Sequence, residues 1–177
     1  GFMLAWVSER LTTAPISPDG RVVATSPVRY TAGIFARLFD ASGSPRGNEA
    51  RVSDTSDPCA NPAIATAADG GAVLAWSQRD GSVSANSWDI FARALNSAAQ
   101  PVGTAVRVNS HTFGDQFAPK IASVGSDFMV VWTSLAQDGS REGVFGQSLS
   151  GTVQISGSEF QVNTTTISQQ VQPVVGS

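Results

Sequence analysis

The chain has 177 residues, enough for one domain, with a net charge of −3 and only 14% charged residues, against about a quarter in an average soluble domain. Ten arginines and Lys120 are scattered, not striped, so the electrostatic footprint of nucleic-acid binding is missing. No run approaches the roughly 18–20 apolar residues of a membrane span, so no membrane insertion is expected. Cys59 stands alone and excludes an intrachain disulfide.

The first predicted element is "GFMLAWVS", apolar at nearly every position and centred on Trp6. A run apolar on both faces reads as a fully covered strand. No basic segment precedes it, so it is not a signal peptide and the chain reads as a processed or excised piece. Residues 9–30, "ERLTTAPISPDGRVVATSPVRY", follow. Three prolines and a "PDG" turn mark them as an inserted loop, with "RVVAT" as a short extra strand. Next come "GIFARLFD" with Phe35, "NEARVSD", and "NPAIATAADG" with Pro62.

The same four runs then recur in the same order. The second set is "GAVLAWSQ" with Trp76, "DIFARALN" with Phe91, "TAVRVNS", and "APKIASVGSD" with Pro119. The third is "DFMVVWTS" with Trp132, "GVFGQSLS" with Phe145, "SEFQVNT", and "QPVVGS" with Pro173. Repeats of about 55 residues therefore divide a single repeat domain into units 1–70, 71–127 and 128–177. The tryptophans hold one strand position and read as core spacers. Arg37, Arg93 and Gln147 share another position and are expected to make hydrogen bonds between neighbouring sheets.

Burial falls along each unit. The last strand-like run before the proline alternates, with Phe160 and Val162 on one face and Glu159, Gln161 and Asn163 on the other, the mark of a half-exposed strand. A stacked four-stranded sheet with its last strand at the rim gives this gradient. The expected fold is all-β: three four-stranded antiparallel blades of a β-propeller-like ring, partial or completed by other chains. A β-sandwich or a β-solenoid-like array is the alternative. "QPVVGS" followed by "GFMLAWVS" reads like the continuous runs "PAIATAADGGAVLAWSQ" and "PKIASVGSDFMVVWTS". The first strand is therefore expected to be an open sheet edge awaiting an inner strand, supplied by another copy of the chain or by flanking repeats.

The runs "IFARLFDASGSPRGNEARVSD", "TFGDQFAPKIA", "FMVVWTSLAQDGS" and "SEFQVNTTT" resemble a repeat of large bacterial secreted and surface proteins. Its pattern is W-x-S…D-G-S…F-D-x-x-G…E-F-x-V-N-T…D-Q-x-x-P, and it often accompanies hemolysin-type calcium-binding modules. The resemblance implies a propeller-like fold and a secreted or cell-surface setting. The third unit departs from it, since "QSLSGTVQ" lacks the "FDASG" turn.

Chemistry is harder to find. His111 is the only histidine and reads as a surface loop residue, because nothing nearby resembles a nucleophile elbow. The carboxylates that could pair for glycosidase work are Asp80, Asp89, Asp115 and Asp138, and they lie in turn-forming contexts such as "RDGS" and "QDGS", where Asp-Gly is turn chemistry. Zinc spacing and EF-hand spacing are both missing, so no cofactor is expected; a loop Ca²⁺ site is the one metal alternative. The ligand-binding candidates are Arg79, Asp80, Trp88 and Asp89 in one connection and Gln137, Asp138 and Arg141 in the next. Trp88 does not recur in the other units; beside Asp89 and Arg79 it could stack on a sugar, or it could simply pack at the blade edge. The functional expectation is a non-catalytic, adhesive scaffold with glycans as possible partners. A self-assembling strand-exchange protein comes second, and a polysaccharide hydrolase last.

Overall fold

The structure is a computed structural model, and it describes residues 1–12, 29–79 and 87–176. Among these the chain forms eleven strands and no helix. β1 (Phe2–Thr12), β2 (Arg29–Phe39) and β3 (Pro45–Arg51) make the first sheet. β4 (Cys59–Thr66), β5 (Ala72–Arg79), β6 (Trp88–Leu95) and β7 (Pro101–Arg107) make the second. β8 (Gln116–Val124), β9 (Asp127–Leu135), β10 (Glu142–Leu149) and β11 (Ile155–Gln161) make the third. All neighbours pair antiparallel and follow chain order. This is the expected propeller-like stack of blades. Residues 13–28, which carry "RVVAT", lie outside the described residues.

The repeat fixes the register. Trp6 faces Phe35 across β1 and β2, Trp76 faces Phe91 across β5 and β6, and Trp132 faces Phe145 across β9 and β10, the strands that count as second and third in a four-stranded blade. The first two pairs stack at the same ring separation, 6.4 Å. Trp76 and Trp132 are fully buried, as core spacers should be, while Trp6 is half-buried. Two apolar clusters hold the blades face to face. One joins Ile34, Ala36 and Val52 of the first sheet to Leu74, Trp76 and Cys59 of the second. The other joins Val73, Ile90, Ala92 and Val108 to Phe128, Val130, Trp132 and Phe145. Small residues on one face receive the indole of the next, so neighbouring sheets interdigitate with little void.

The turns repeat as closely as the core. After the third strand of each blade a polar side chain folds back on its own turn. Asp40 Oδ1 accepts from the Ser42 and Ser44 amides, Asn96 Oδ1 from Ala98 and Gln100, and Ser150 Oγ from Gln154. The Ser42 hydroxyl and the turn amides hold the Asp40 carboxyl below its usual value. Each turn then needs one left-handed residue, met by Gly43, Ala99 and Val153 (φ 83°, 59° and 59°). The third unit therefore builds the turn that its sequence was expected to lack, with Ser150 doing the work of Asp40.

Arg37, Arg93 and Gln147 depart from expectation. Each sits at a register break, opposite a bulge in the fourth strand of its own blade. Arg37 donates to the Gly47 carbonyl, Arg93 to that of Gly103, and Gln147 to those of Ser156 and Gly157. A bulge leaves carbonyls outside the ladder, and these side chains satisfy them. Only Arg93 also crosses between blades, to the Val52 carbonyl at 2.7 Å, with Asp54 at 3.8 Å. The outer strand β11 is exposed along most of its length, not on alternate residues; it is the rim of its sheet, and among the described residues no strand pairs on its outer side.

Candidate functional site

Antiparallel order brings the start of each first strand, the end of the second and the start of the third to one end of the blades. There β4, β6 and the connection into β8 enclose a cleft of about 240 Å³, lined by Ala60, Asn61, Trp88, Asp115 and Phe117. It contains two aromatic rings, one amide and one carboxylate. The Trp88 amide donates to Asp115 Oδ1 at 3.2 Å and anchors that carboxylate to the mouth of the second blade. Asn61 has a left-handed backbone (φ 52°), and Ser77 Oγ donates to its side-chain oxygen.

The loop carrying Asp115 is held by a buried polar network. Asn109 Oδ1 accepts the Ile90 amide at 2.7 Å. Its Nδ2 donates to Asp89 Oδ1 at 2.6 Å and to the His111 carbonyl at 2.7 Å. Gln116 Nε2 donates to the Phe113 carbonyl and to Ser134 Oγ. The next connection repeats the arrangement, with Asn163 capping the Val144 amide and donating to Thr165, and Gln170 donating to Ile167. The framework is thus common to the fold, but Trp88, Asp115 and Phe117 are particular to this place.

The sequence candidates divide sharply. Trp88 lines the cleft, half-buried at the first position of β6 and paired with Arg79 of β5. Asp89 is not free for a ligand: it is fully buried and committed to Asn109. At its place the other blades carry Gly33 and Gly143, and a Cβ on Gly143 would lie 2.8 Å from Asp138 Oδ2. A carboxylate thus occupies this region in both later blades, from the strand in one and from the loop in the other. Asp138 Oδ1 also accepts the Ser140 amide, the turn chemistry expected of "QDGS". Gln137 donates to Glu159, which also accepts from the Ser110 amide and hydroxyl, so it ties two blades together. Arg141 is exposed. Asp80 lies outside the described residues. Sequence reasoning set Asp115 aside as turn chemistry and missed Phe117; the signal lay in "GDQFAP", which carries a carboxylate and an aromatic just before the proline that opens an inner strand.

Cys59 is buried beneath the first sheet, near Gln78 and Trp76. Desolvation raises its thiol from 9.0 to about 11. The folded state therefore holds this proton where the unfolded chain releases it. That contribution to stability is complete below pH 9 and is lost as pH climbs through about 11. In native buffer at pH 8 the thiol should react with a disulfide reagent at least tenfold more slowly than in urea. Equal rates would mean that the thiol is reached by solvent.

Among the described residues no group of three or more His, Cys, Asp or Glu could hold a metal ion, and no helix is long and apolar enough to cross a membrane. No protein-family model matches the sequence, and no characterised protein matches it. Solved structures do match in shape. The α-L-arabinofuranosidase from Lactobacillus brevis aligns over 92% of this chain and 53% of its own, at 11% identity and a TM-score of 0.50. The GH43 endo-arabinanase from Bacillus licheniformis aligns over 77% and 51%, at 14% identity and a TM-score of 0.44. The chain spans about half the length of these proteins. At such identity the likeness concerns the fold. It nevertheless counts against the expectation of a non-catalytic adhesive or self-assembling scaffold, because the α-L-arabinofuranosidase that shares the fold is an enzyme by its name.

Proposed function

We propose that this chain is part of a carbohydrate-active propeller of the glycoside-hydrolase class, and that the cleft between the second and third blades seats a glycosyl unit. The observation that carries the reading is the joint presence of Trp88, Phe117, Asn61 and the anchored Asp115 in one cleft. Aromatic faces suit the apolar faces of a sugar ring, and an amide and a carboxylate suit its hydroxyls. The cleft is smaller than the roughly 300–1,000 Å³ of drug-sized sites, which favours one sugar unit over a chain of them. The enzymes that share the fold act on arabinose-containing substrates by their names, so arabinofuranosides are the first substrates to try.

Glycoside hydrolysis needs two carboxyl groups across the scissile bond. Asp115 is the one carboxylate lining the cleft among the described residues, so it is the first group to substitute. The test is binding and turnover of aryl α-L-arabinofuranoside, arabinan and xylan. We expect Asp115→Asn to lower turnover at least a hundredfold and Trp88→Ala to weaken binding about tenfold. Absence of both binding and turnover across the panel, or full activity in Asp115→Asn, sinks the reading.

A further inference from the structure

We infer that the outward face and free edge of the first blade are a docking surface for a fourth unit of this same repeat, supplied from outside residues 1–177. The internal repeat provides its own control. Phe2 and Leu4 are 44% and 48% exposed, whereas the residues at the same positions, Ala72 and Leu74 in the second blade and Phe128 and Val130 in the third, are 0–2% exposed. The strand position is identical, and what differs is the neighbour. Leu74 and Trp76 are covered by Ile34, Ala36 and Val52 of the blade before them. Phe128, Val130 and Trp132 are covered in the same way by Ile90, Ala92 and Val108. Among the described residues the face of Phe2, Leu4 and Trp6 has no such cover. Exposed aromatic and aliphatic side chains in one contiguous face mark an interaction site.

The edge makes the same demand. β5 and β9 each pair on both sides, with β4 and β6 and with β8 and β10. Among the described residues β1 pairs only with β2, which leaves its other edge as a row of backbone groups open to a partner strand. What fits there can be read from the other two blades. The inner strand enters through a left-handed residue before a proline, Asn61-Pro62 or Ala118-Pro119, and the Ala118 amide then bonds Ser77 Oγ of the preceding blade. It continues with Ala63 opposite Ala75, or Lys120 opposite Val131. The occupant of the β1 edge is therefore a strand of the form x-Pro-x-(Ile/Val), its third residue opposite Ala5, with a small-residue blade face behind it.

The third blade of a second copy is a poorer match than a fourth unit. It offers Val144 and Val162 where the covering blades offer Ile34 and Val52, or Ile90 and Val108. Beside them, however, Gly146 stands in place of Ala36 and Ala92, and the Phe160 ring lies across it, within 2.9 Å of where a Cβ would be. An incoming Trp6 would meet that ring, whereas Trp76 and Trp132 meet small residues.

Two arms test the inference. The 177-residue chain carrying Ala5→Cys and Val174→Cys should stay monomeric, near 18.3 kDa, and form no crosslink under mild oxidation. A disulfide-linked dimer would show that a second copy is the occupant and overturn the inference. In the second arm, a duplicate of residues 71–126 is fused ahead of Gly1, which then stands where Asp127 does in the third blade, with Ala5→Cys in the chain and Lys120→Cys in the added unit. Paired antiparallel strands hold their Cα atoms about 4.5–5.5 Å apart, within disulfide reach. An intrachain disulfide should form, and the fusion without the two introduced cysteines should bind severalfold less of an apolar dye than the parent. No disulfide together with unchanged dye binding would overturn the inference.

Discussion

Trp76→Ala should destabilise the chain by about 3–5 kcal/mol, the range for truncating a fully buried large aromatic. Trp76 is enclosed between two blades, stacks on Phe91, and gives its indole N–H to Gln78 Oε1 at 3.1 Å. The substitution opens a cavity at a blade interface and leaves the buried Gln78 Oε1 with only the weak Cys59 thiol as donor, two losses that add. Trp6→Ala removes the same side chain from the same repeat position, yet should cost only about 1–2 kcal/mol, because one face of that ring is already open. Urea midpoints of the two variants measure the difference. Equal shifts would show that the tryptophans are stabilised within their own blades and that the blade interface contributes little. Since a domain has only about 5–15 kcal/mol in hand, the Trp76 variant should lose a large share of its stability and the Trp6 variant a small one.

The second large effect is expected at Asn109. Asn109→Ala should cost about 3 kcal/mol. It leaves the Ile90 amide without its acceptor and takes a 2.6 Å hydrogen bond away from the buried Asp89 carboxylate, and bonds to charged groups are worth about 1.5–3 kcal/mol. Asn109→Ser separates the two roles. In the first blade Ser53 already occupies this place, and its hydroxyl accepts the Ile34 amide at 3.1 Å. The serine variant should keep the cap, lose only the link to Asp89, and cost about half as much. Hydrogen exchange at Ile90 reads the cap directly. Protection retained in Ser and lost in Ala is the expected result, and protection in both would remove Asn109 from the account. Loosening here should also release the connection that presents Asp115 to its cleft.

Much of the architecture was legible because it repeats. Trp76, Phe91 and Pro119 mark a strand, its partner and an inner-strand entry, and three copies in one order leave few arrangements other than stacked sheets. The register followed from the Trp–Phe pairs. The roles of Arg37, Arg93 and Gln147 were not legible in the same way: their recurrence showed that they matter, but the bulge carbonyls they satisfy are a property of the backbone that composition does not carry. The site was less legible still. Asp89 looked like a ligand group because it neighbours Trp88, but alternation along β6 turns the two side chains to opposite faces, one toward the cleft and one into the interior. Asp115 and Phe117 come to Trp88 from a different blade, 27 and 29 residues on in the sequence. Only the closure of one sheet onto the next makes them neighbours.

The links described between sheets all pass through side chains: interlocked indoles and aliphatics, Arg93 to Val52, Ser110 to Glu159. The strand ladders stop at the border of each sheet. Cohesion in this molecule is therefore a nearest-neighbour property, with each slab locked to the adjoining one and blind to the slab beyond. Local opening then has a fixed geography. The middle slab, clasped on both sides, is the last to yield, and breathing starts at the outer slabs and moves inward one border at a time.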